Sequence, residues 1–495
     1  MSRLPTLAAL IVSSLCAGCA VGPDYLRPTS PMPQAYMGTR TQAQETAPVF
    51  ATDSDLSAWW LAFGDPQLTQ FVTLALQQNL DLAQALARVR QARAQLDAAG
   101  AALLPAGNVT AQTSRGYQSL QTPLGQVLNA VPDFARYGNA HEANLGVSWE
   151  VDLFGGLKRE QQAAHAEYQA TQADAVAVRL AVAAQAADTV LQIRGLQARL
   201  AIARQQVQTQ QQLRSTIELR WHKGLAAELQ LRQAQGALAR AQATIPPLEA
   251  ALETAMNAMD VMLGDMPGTH RAAFAQLPPS PGLSGLSSIP GMSLGSAPAD
   301  LLRRRPDVIA AERRLAASNA RIGAAIAEYY PKISLSGLIG SATSLSSGQL
   351  FSGGASQVAA VAGLRWRLFD FGRINAQLAQ AEASEAGALA AYRQAVLRAT
   401  EDVENALLAR ERRQELSAVL AQGEHALARA REASAAAYDK GVVSLIEVLQ
   451  ADESLLSVRD AQAQAGTDSA RALVAIFKAL GGGWTPEPTP LVVSQ

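Results

Sequence analysis

Cysteine is the side chain with the sharpest chemical signature in this sequence, and the chain has two, both near the N-terminus. Arg3 is followed by an apolar stretch and then by Cys16-Ala-Gly-Cys19. This order is typical of a bacterial secretory signal that ends at a lipoprotein cleavage site, where the thiol of the new first residue is acylated. We predict a signal peptide over residues 1–18 and lipidation of Cys19, with an ordinary signal peptide as the alternative, because Cys16 replaces the usual leucine. In both cases the mature chain is expected to have no internal disulfide and no cysteine metal site.

A soft-metal site is the second chemistry that the residue types allow. Four methionines step by 3, 3 and 4 along one predicted helix face, at Met256, Met259, Met262 and Met266. A methionine stripe of this kind more often packs in a core, and the five histidines have no ligand spacing. The sequence also contains no nucleophile elbow, phosphate-binding loop or HExxH motif. We therefore predict a protein that is not an enzyme and has no cofactor or metal.

A glycine between a lysine and an apolar residue occurs twice, 217 positions apart, at Lys223-Gly224-Leu225 and Lys440-Gly441-Val442. Other pairs share this offset: Gly146-Val-Ser-Trp149 with Gly363-Leu-Arg-Trp366, Phe154-Gly155 with Phe371-Gly372, and Leu263-Gly264 with Leu480-Gly481. Upstream, Pro105 and Pro331 are related by an offset of 226. Repeated motifs in the same order indicate a tandem duplication.

Each repeat contains one very long predicted helix without proline, over residues 157–222 and 373–439. Helices of this length would measure about 100 Å, whereas the average helix has about 11–12 residues. The remaining chain divides into an N-terminal arm (19–66), a first repeat (67–264, with a hairpin over 105–154), a Pro/Gly/Ser-rich linker (265–300), a second repeat (301–483, with a hairpin over 331–371) and a tail (484–495).

Two strands are predicted in each hairpin. In the first hairpin a strand over 108–114 and a loop over 115–140 precede a run that alternates apolar residues (Ala143, Leu145, Val147, Trp149, Val151 and Leu153) with polar residues (Glu142, Asn144, Ser148, Glu150 and Asp152). Strict alternation predicts one apolar and one wet face, and about 9–11 residues cross a bilayer at a tilt. A closed barrel needs about eight strands. Four strands per chain therefore predict a barrel shared by two or more subunits.

Several motifs together carry a family resemblance: Gly22-Pro-Asp-Tyr25, Trp59-Trp60, Asp65-Pro66, Arg304-Arg-Pro-Asp307 with Ala311-Glu312, and Ala479-Leu-Gly-Gly-Gly-Trp484. From residue 19 to 484 the chain resembles the TolC-like outer membrane factors, in particular the lipoprotein (NodT/OprM-like) branch of tripartite RND efflux systems. The resemblance implies a fold that is mostly α with a membrane β-barrel: a homotrimer whose 12-stranded barrel continues into a long α-helical barrel. It also implies a periplasmic adaptor protein, an inner-membrane RND-type pump and outer membrane lipids as partners.

The resemblance also assigns roles to residues near the repeated glycines. The two Lys-Gly-apolar turns match adaptor-docking tips, although a plain helix C-cap would also explain the glycines. Glu447 stands where the family often places an acidic residue facing the closed pore, so that three copies would form an anionic ring; an exposed helix glutamate is the alternative. Tyr438 is the matching candidate for an inter-helix latch. Glu150 and Arg367 occupy equivalent strand positions and are predicted to be lumen charges, either as a belt or as ordinary lumen polarity.

The net charge of the chain argues against one class of partner. A net charge of −1 and a pI near 6.6 give no support for nucleic acid as a partner. We predict a passive conduit that exports drugs or other small toxic compounds, lipid-anchored in the cell outer membrane with a periplasmic extension. The alternatives are the outer membrane duct of a type I protein secretion system and a periplasmic coiled-coil scaffold without a pore. The alternating strands argue against the scaffold.

Overall fold

The computed structural model describes residues 20–29, 57–275 and 304–484. The predicted signal peptide, Cys19, and most of the arm, the linker and the tail lie outside the described residues. Contacts divide the chain into two compact units. Of the described residues, a sheet unit combines 20–28, Val89–Thr171 and Ala311–Tyr392, and a helical unit combines 29, 57–88, 172–275, 304–310 and 393–484. Each unit draws on both repeats, so the compact units do not follow the repeat boundary.

The first half begins with a short 3-10 helix, Trp59–Phe63, and continues as α1 (Pro66–Gln78), α2 (Leu80–Ala101), β1 (Ala106–Tyr117), α3 (Pro123–Asn129), β2 (Tyr137–Val151), α4 (Gly156–His222), α5 (Glu228–Ala243), α6 (Ile245–Met262) and the short α7 (Arg271–Ala275). The second half contains α8 (Pro306–Ala327), β3 (Lys332–Thr343), β4 (Ser356–Arg365), α9 (Arg373–Asp439) and α10 (Leu445–Ala479). The fold is mostly α with one four-stranded sheet, as predicted.

The long helices α4 and α9 have 67 residues each, which corresponds to about 100 Å of helical rise. In two places the chain is more regular than its sequence indicated. The strands of the first hairpin extend to Tyr117 and from Tyr137, and α3 lies between them, where a single loop was predicted. The predicted linker contains α7, whose Phe274 is fully buried against Phe71. The helices α3 and α7 have only seven and five residues, too few to show a helical period in the sequence.

The sheet has the order β1-β2-β3-β4 with every neighbouring pair antiparallel. The two hairpins repeat one contact at their helix-side ends. The indole of Trp149 donates to the carbonyl of Leu103, and that of Trp366 donates to the carbonyl of Tyr329, both at 2.9 Å. These partners are related by the same offsets as the sequence repeat. The duplication is therefore visible in side-chain contacts as well as in the order of elements.

The core of the helical unit forms around the Trp59-Trp60 motif. Trp59 is buried and stacks on Phe477 at 5.2 Å between ring centroids. Asp65 then caps α1, since its carboxylate accepts the N–H groups of Gln67 and Leu68. The same carboxylate pairs with Arg194 of α4, and burial lowers the pKa of the Arg194 guanidinium. Asp65 thus begins α1 and joins it to the long helix α4.

Each long helix buries a seam of apolar residues that recurs every three or four positions. The residues at 3-4 spacing are buried in both repeats: Leu180, Ala183, Ala187 and Val190 in α4, and Tyr392, Val396, Ala399, Val403 and Ala406 in α9. One 18-residue window of α4 has a mean hydropathy of 1.3, enough for a membrane span by composition, and 56% of that window is buried. Burial of this extent fits a helix packed against other helices.

Candidate functional site

Both long helices end in the same turn. Gly224 and Gly441 have φ angles of 68° and 72°, in the left-handed region that glycine enters without steric cost. In the first turn the N–H of Leu225 donates to the carbonyl of Arg220 at 2.8 Å. In the second, the N–H of Val442 donates to the carbonyl of Ala437 at 2.9 Å. This six-to-one bond is the Schellman C-cap, so the local structure by itself accounts for the glycines.

The C-cap does not account for the apolar residue that follows each glycine. Leu225 and Val442 are each 75% exposed. A Cβ atom added to Gly224 or Gly441 would meet nothing within 4 Å. The two turns therefore present an uncovered apolar side chain on an open surface, beside the exposed Lys223 and Lys440. We call this paired surface, residues 223–225 and 440–442, the helix tips.

Tyr438 lies just before the second tip and joins the two long helices. Its ring packs against a buried cluster that contains Ile217 of α4 and Leu445 of α10. The guanidinium of Arg220 lies 5.6 Å from the centre of the same ring and 3.6 Å from the carboxylate of Asp439. Tyr438, the predicted latch between helices, contacts α4 of its own chain.

Glu447 lies in the first turn of α10, exposed and immediately after the second tip. Within the described residues its carboxylate has no ion-pair or hydrogen-bond partner. The equivalent residue of the first repeat is Gln230, whose side chain accepts the N–H of Ala227 as part of a cap. The acidic group is therefore specific to the second repeat, and its local position serves no capping bond.

A buried polar group behind Glu447 was not anticipated from the sequence. Asp452 of α10 is 3% exposed, and its carboxylate accepts Nε of Arg431 at 2.9 Å and Nε2 of Gln210 at 3.2 Å. The three residues join α10, α9 and α4. The signal was available, since Asp452 continues a 3-4 spacing from Leu445 and Val448. A carboxylate at such a core position needs partners to offset its desolvation.

The predicted lumen charges, Glu150 and Arg367, belong to one network at the helix-side end of the sheet. Lys332 lies 3.7 Å from Glu150 and also pairs with Glu328, which in turn pairs with Arg367. Arg367 lies beyond β4, which ends at Arg365. The prediction that Arg367 is a strand residue is therefore wrong. The strand is shorter because the chain turns toward α9 before the alternation of the first repeat is completed.

The segment that follows Cys19 is held in a narrow slot. The buried guanidinium of Arg159 donates to the carbonyls of Val21 and Gly22 and to the carboxylate of Asp24, at 3.0–3.2 Å. Gly22 has a φ of 92°, and a Cβ there would lie 2.5 Å from the Cα of Gly323. The residues from Val21 to Asp24, shortly after the predicted lipidation site, are therefore held beside the start of α4. This role of the Gly22-Pro-Asp motif depends on long-range contacts that sequence reasoning missed.

Tyr25, next to this segment, donates its hydroxyl hydrogen bond to the buried carboxylate of Glu312 at 3.0 Å. Burial, together with the nearby Glu312 charge, raises the pKa of the Tyr25 phenol. The phenol therefore remains a neutral donor at all physiological pH values. Two of the motifs singled out in the sequence, at 22–25 and 311–312, meet here.

The four methionines do not form one surface. Met256 and Met259 are buried in the core of the helical unit, whereas Met266 is 81% exposed. Met266 lies after α6 has ended at Met262, so the helical spacing does not apply to it. Among the described residues no group of His, Cys, Asp and Glu is arranged to hold a metal ion. Packing explains the buried methionines without a ligand.

A known protein family matches the chain twice, in agreement with the duplication. The family model described as outer membrane efflux protein matches residues 71–265 and again residues 297–482, once in each repeat. The chain belongs to the outer membrane efflux protein family. The membrane location and the efflux function predicted from the sequence are thereby confirmed, and a periplasmic scaffold without a pore is not supported.

Individual relatives agree with this assignment over nearly the whole chain. The efflux protein is 34% identical over 434 residues to the pyoverdine export outer membrane protein OpmQ of Pseudomonas putida, covering 86% of this chain and 88% of that protein. It is 32% identical over 494 residues to the outer membrane protein OprJ of Pseudomonas aeruginosa, with 99% and 98% covered. The solved outer-membrane channel OprN has a TM-score of 0.80 at 33% identity, covering 94% of this chain and all of that one.

Proposed function

We propose that the efflux protein is a passive homotrimeric channel that completes a tripartite pump. The observation that carries the proposal is the open sheet: among the described residues of one chain, β1 and β4 each have one paired and one free edge. Free strand edges are not tolerated in hydrocarbon. Three copies would join β4 of one chain to β1 of the next and close a 12-stranded barrel, with the long helices forming the wall of a periplasmic tube.

In this proposal the chain performs no catalysis and holds no cofactor. The helix tips dock on a periplasmic adaptor protein, and an inner-membrane RND-type pump supplies both the substrate and the energy. Cys19 carries acyl chains at the outer membrane, and the slot around Arg159 fixes the start of the mature chain near the sheet. Glu150 and Arg367 contribute to the charged lining where the barrel meets the tube.

A direct experiment tests the channel. We expect the protein extracted from outer membranes to have the mass of three acylated chains by native mass spectrometry, and to conduct ions when reconstituted in planar bilayers. Deletion of its gene should lower resistance to exported compounds, and the intact gene should restore it. A monomer without conductance, extracted from the same membranes, would contradict the proposal.

Glu447 would act at the periplasmic entrance of this channel. Three copies of an unpaired carboxylate around a narrow axis would form a ring that attracts cations and repels anions. We expect Glu447→Gln to reduce the cation selectivity measured as a reversal potential across a salt gradient. Glu453→Gln is the matched control. Glu453 lies on the same helix and is also exposed, but unlike Glu447 it is paired with Arg240. Equal selectivity in Glu447→Gln and wild-type channels would rule out the ring.

A further inference from the structure

The outer end of the first hairpin carries a cluster of two tyrosines and two arginines. Tyr117 and Tyr137 are paired across β1 and β2, with ring centroids 4.8 Å apart. The guanidinium of Arg136 lies 4.1 Å from the centre of the Tyr117 ring, and that of Arg115 lies 5.3 Å from the Tyr137 ring. Each cation thus lies over an aromatic ring, which orients it and holds it at the surface. We call these four residues the rim cluster.

The strand register decides which way the rim cluster faces. Tyr117 is opposite Tyr137, and along the same face Val109 is opposite Leu145. Val109 and Leu145 are 78% and 51% exposed. The opposite face of the same strands carries polar residues such as Gln112 and Glu142. An exposed apolar face on a strand with a polar opposite face is the lipid side of a membrane barrel. This step rests on the barrel of the proposed function.

Depth along the strand places the rim cluster at the outer surface of the membrane. Trp149 shares its face and lies 12 positions from Tyr137 on β2, which is about 40 Å of strand. At a tilt of about 40° this distance spans about 30 Å across the membrane, and membrane barrels have an apolar band about 25 Å tall between two aromatic girdles. Trp149 is at the helix side, so the tyrosines lie at the opposite, outer girdle, level with lipid head groups.

The two guanidinium groups of the rim cluster contact aromatic rings but have no carboxylate partner among the described residues. Among the described residues neither Arg115 nor Arg136 forms an ion pair with a carboxylate; Arg136 donates one hydrogen bond, to the carbonyl of Gln118. The equivalent positions of the second repeat hold serine, threonine and glycine: Ser341, Thr343, Gly353 and Gly354. The duplication therefore shows that a hairpin of this fold forms without the cluster, so its residues are not a requirement of the turn.

We propose that the rim cluster binds the phosphate groups of the glycolipid that forms the outer leaflet of the outer membrane. Guanidinium groups bind phosphate through paired, charge-assisted hydrogen bonds, and the tyrosine rings give the sugar and acyl boundary an amphipathic surface. The positive charges of Arg115 and Arg136 are complementary to this anionic head group. A trimer carries the cluster three times, each beside the β1 edge at which neighbouring chains meet, so bound glycolipid covers the seams between subunits.

The test uses intact trimers extracted from outer membranes in mild detergent. Binding of phosphorylated lipid A, and of the same lipid A after enzymatic dephosphorylation, is measured by native mass spectrometry during titration. We expect the double variant Arg115→Gln with Arg136→Gln to bind phosphorylated lipid A at least about fivefold more weakly. Removing the phosphates should weaken wild-type binding similarly and should add no further loss in the double variant. Arg115→Lys with Arg136→Lys should retain part of the affinity, because charge is kept while the paired geometry is lost.

The matched control removes two exposed arginines elsewhere, with Arg93→Gln and Arg412→Gln, whose partners are exposed carboxylates on their own helices. This control should bind lipid A as the wild type does. Wild-type binding that ignores the phosphates, a double variant that binds like the wild type, or equal competition by phosphatidylglycerol would overturn the inference. Channel conductance distinguishes a failure of this inference from a failure of the proposed channel function. If wild-type trimers conduct but the double variant binds lipid A normally, only this inference fails. Absent conductance and trimers would instead remove the barrel on which it rests.

Discussion

Replacing Gly441 with tryptophan is expected to abolish efflux while trimers still reach the outer membrane. The site tolerates bulk within the chain, because a Cβ at Gly441 meets nothing within 4 Å. A left-handed backbone conformation costs a non-glycine residue only about 1–2 kcal/mol, a small part of the stability of a large helical assembly. The indole would, however, cover the apolar surface next to Val442 on which we propose that an adaptor docks. Resistance should therefore fall to the level of a strain without the gene.

Two controls separate docking from folding. Gly441→Ala imposes the same backbone cost with little bulk and should retain most of the efflux. Gly268→Trp places the same side chain at another glycine with positive φ (95°) and open surroundings, away from the tips, and should keep wild-type resistance. Heat-stable trimers, measured by electrophoresis of outer membranes, must be present in all three variants. Full resistance in Gly441→Trp would show that the tip is a C-cap and nothing more.

The two tips need not be equivalent, and the same substitution at Gly224 measures their difference. The second tip is followed by the unpaired Glu447, whereas the first is followed by Gln230, which is used in a cap. The buried Asp452 also belongs to the second repeat and is held by Arg431 and Gln210. The helices next to the second tip are therefore tied together by a polar group that the first repeat lacks. The two copies of a duplicated chain therefore differ in the polar residues that surround their tips.

The sequence was sufficient for the features that repeat along the chain. The absence of proline over 157–222 and 373–439 predicted α4 and α9, and alternation predicted the inner part of β2. It failed where structure depends on contacts between distant segments. Arg159 could not be placed beside Gly22 by any local pattern, since 137 positions separate them. Similarly, Tyr117 and Tyr137 were assigned to a loop, because the glycine next to each interrupts the alternation that marks a strand.

Gly195 is the residue for which local sequence and tertiary structure disagree most, and its replacement is expected to have the largest effect on stability. It lies in the middle of α4, where glycine costs about 1 kcal/mol relative to alanine. The structure gives the reason: a Cβ at Gly195 would lie 2.3 Å from Oγ1 and 2.6 Å from Cγ2 of Thr467. Thr467 is 4% exposed in α10, so it has no open space to enter. Gly195 therefore sets the distance at which α4 and α10 pack.

We expect Gly195→Leu to force these helices apart and to disturb the adjacent Arg194–Asp65 pair. Overpacking of this kind costs about 1–3 kcal/mol, occasionally more, and the loss recurs in each copy of an oligomer. The variant should show little heat-stable trimer in outer membranes and a lower thermal midpoint. Arg412→Leu is the matched control, because 412 is the equivalent position of the second repeat and its side chain is exposed. The variant Gly195→Ala should be less stable than the double variant Gly195→Ala with Thr467→Ala. The reason is that removing the hydroxyl and methyl groups of Thr467 relieves the clash. Equal stability of these two variants would show that α4 and α10 can separate freely.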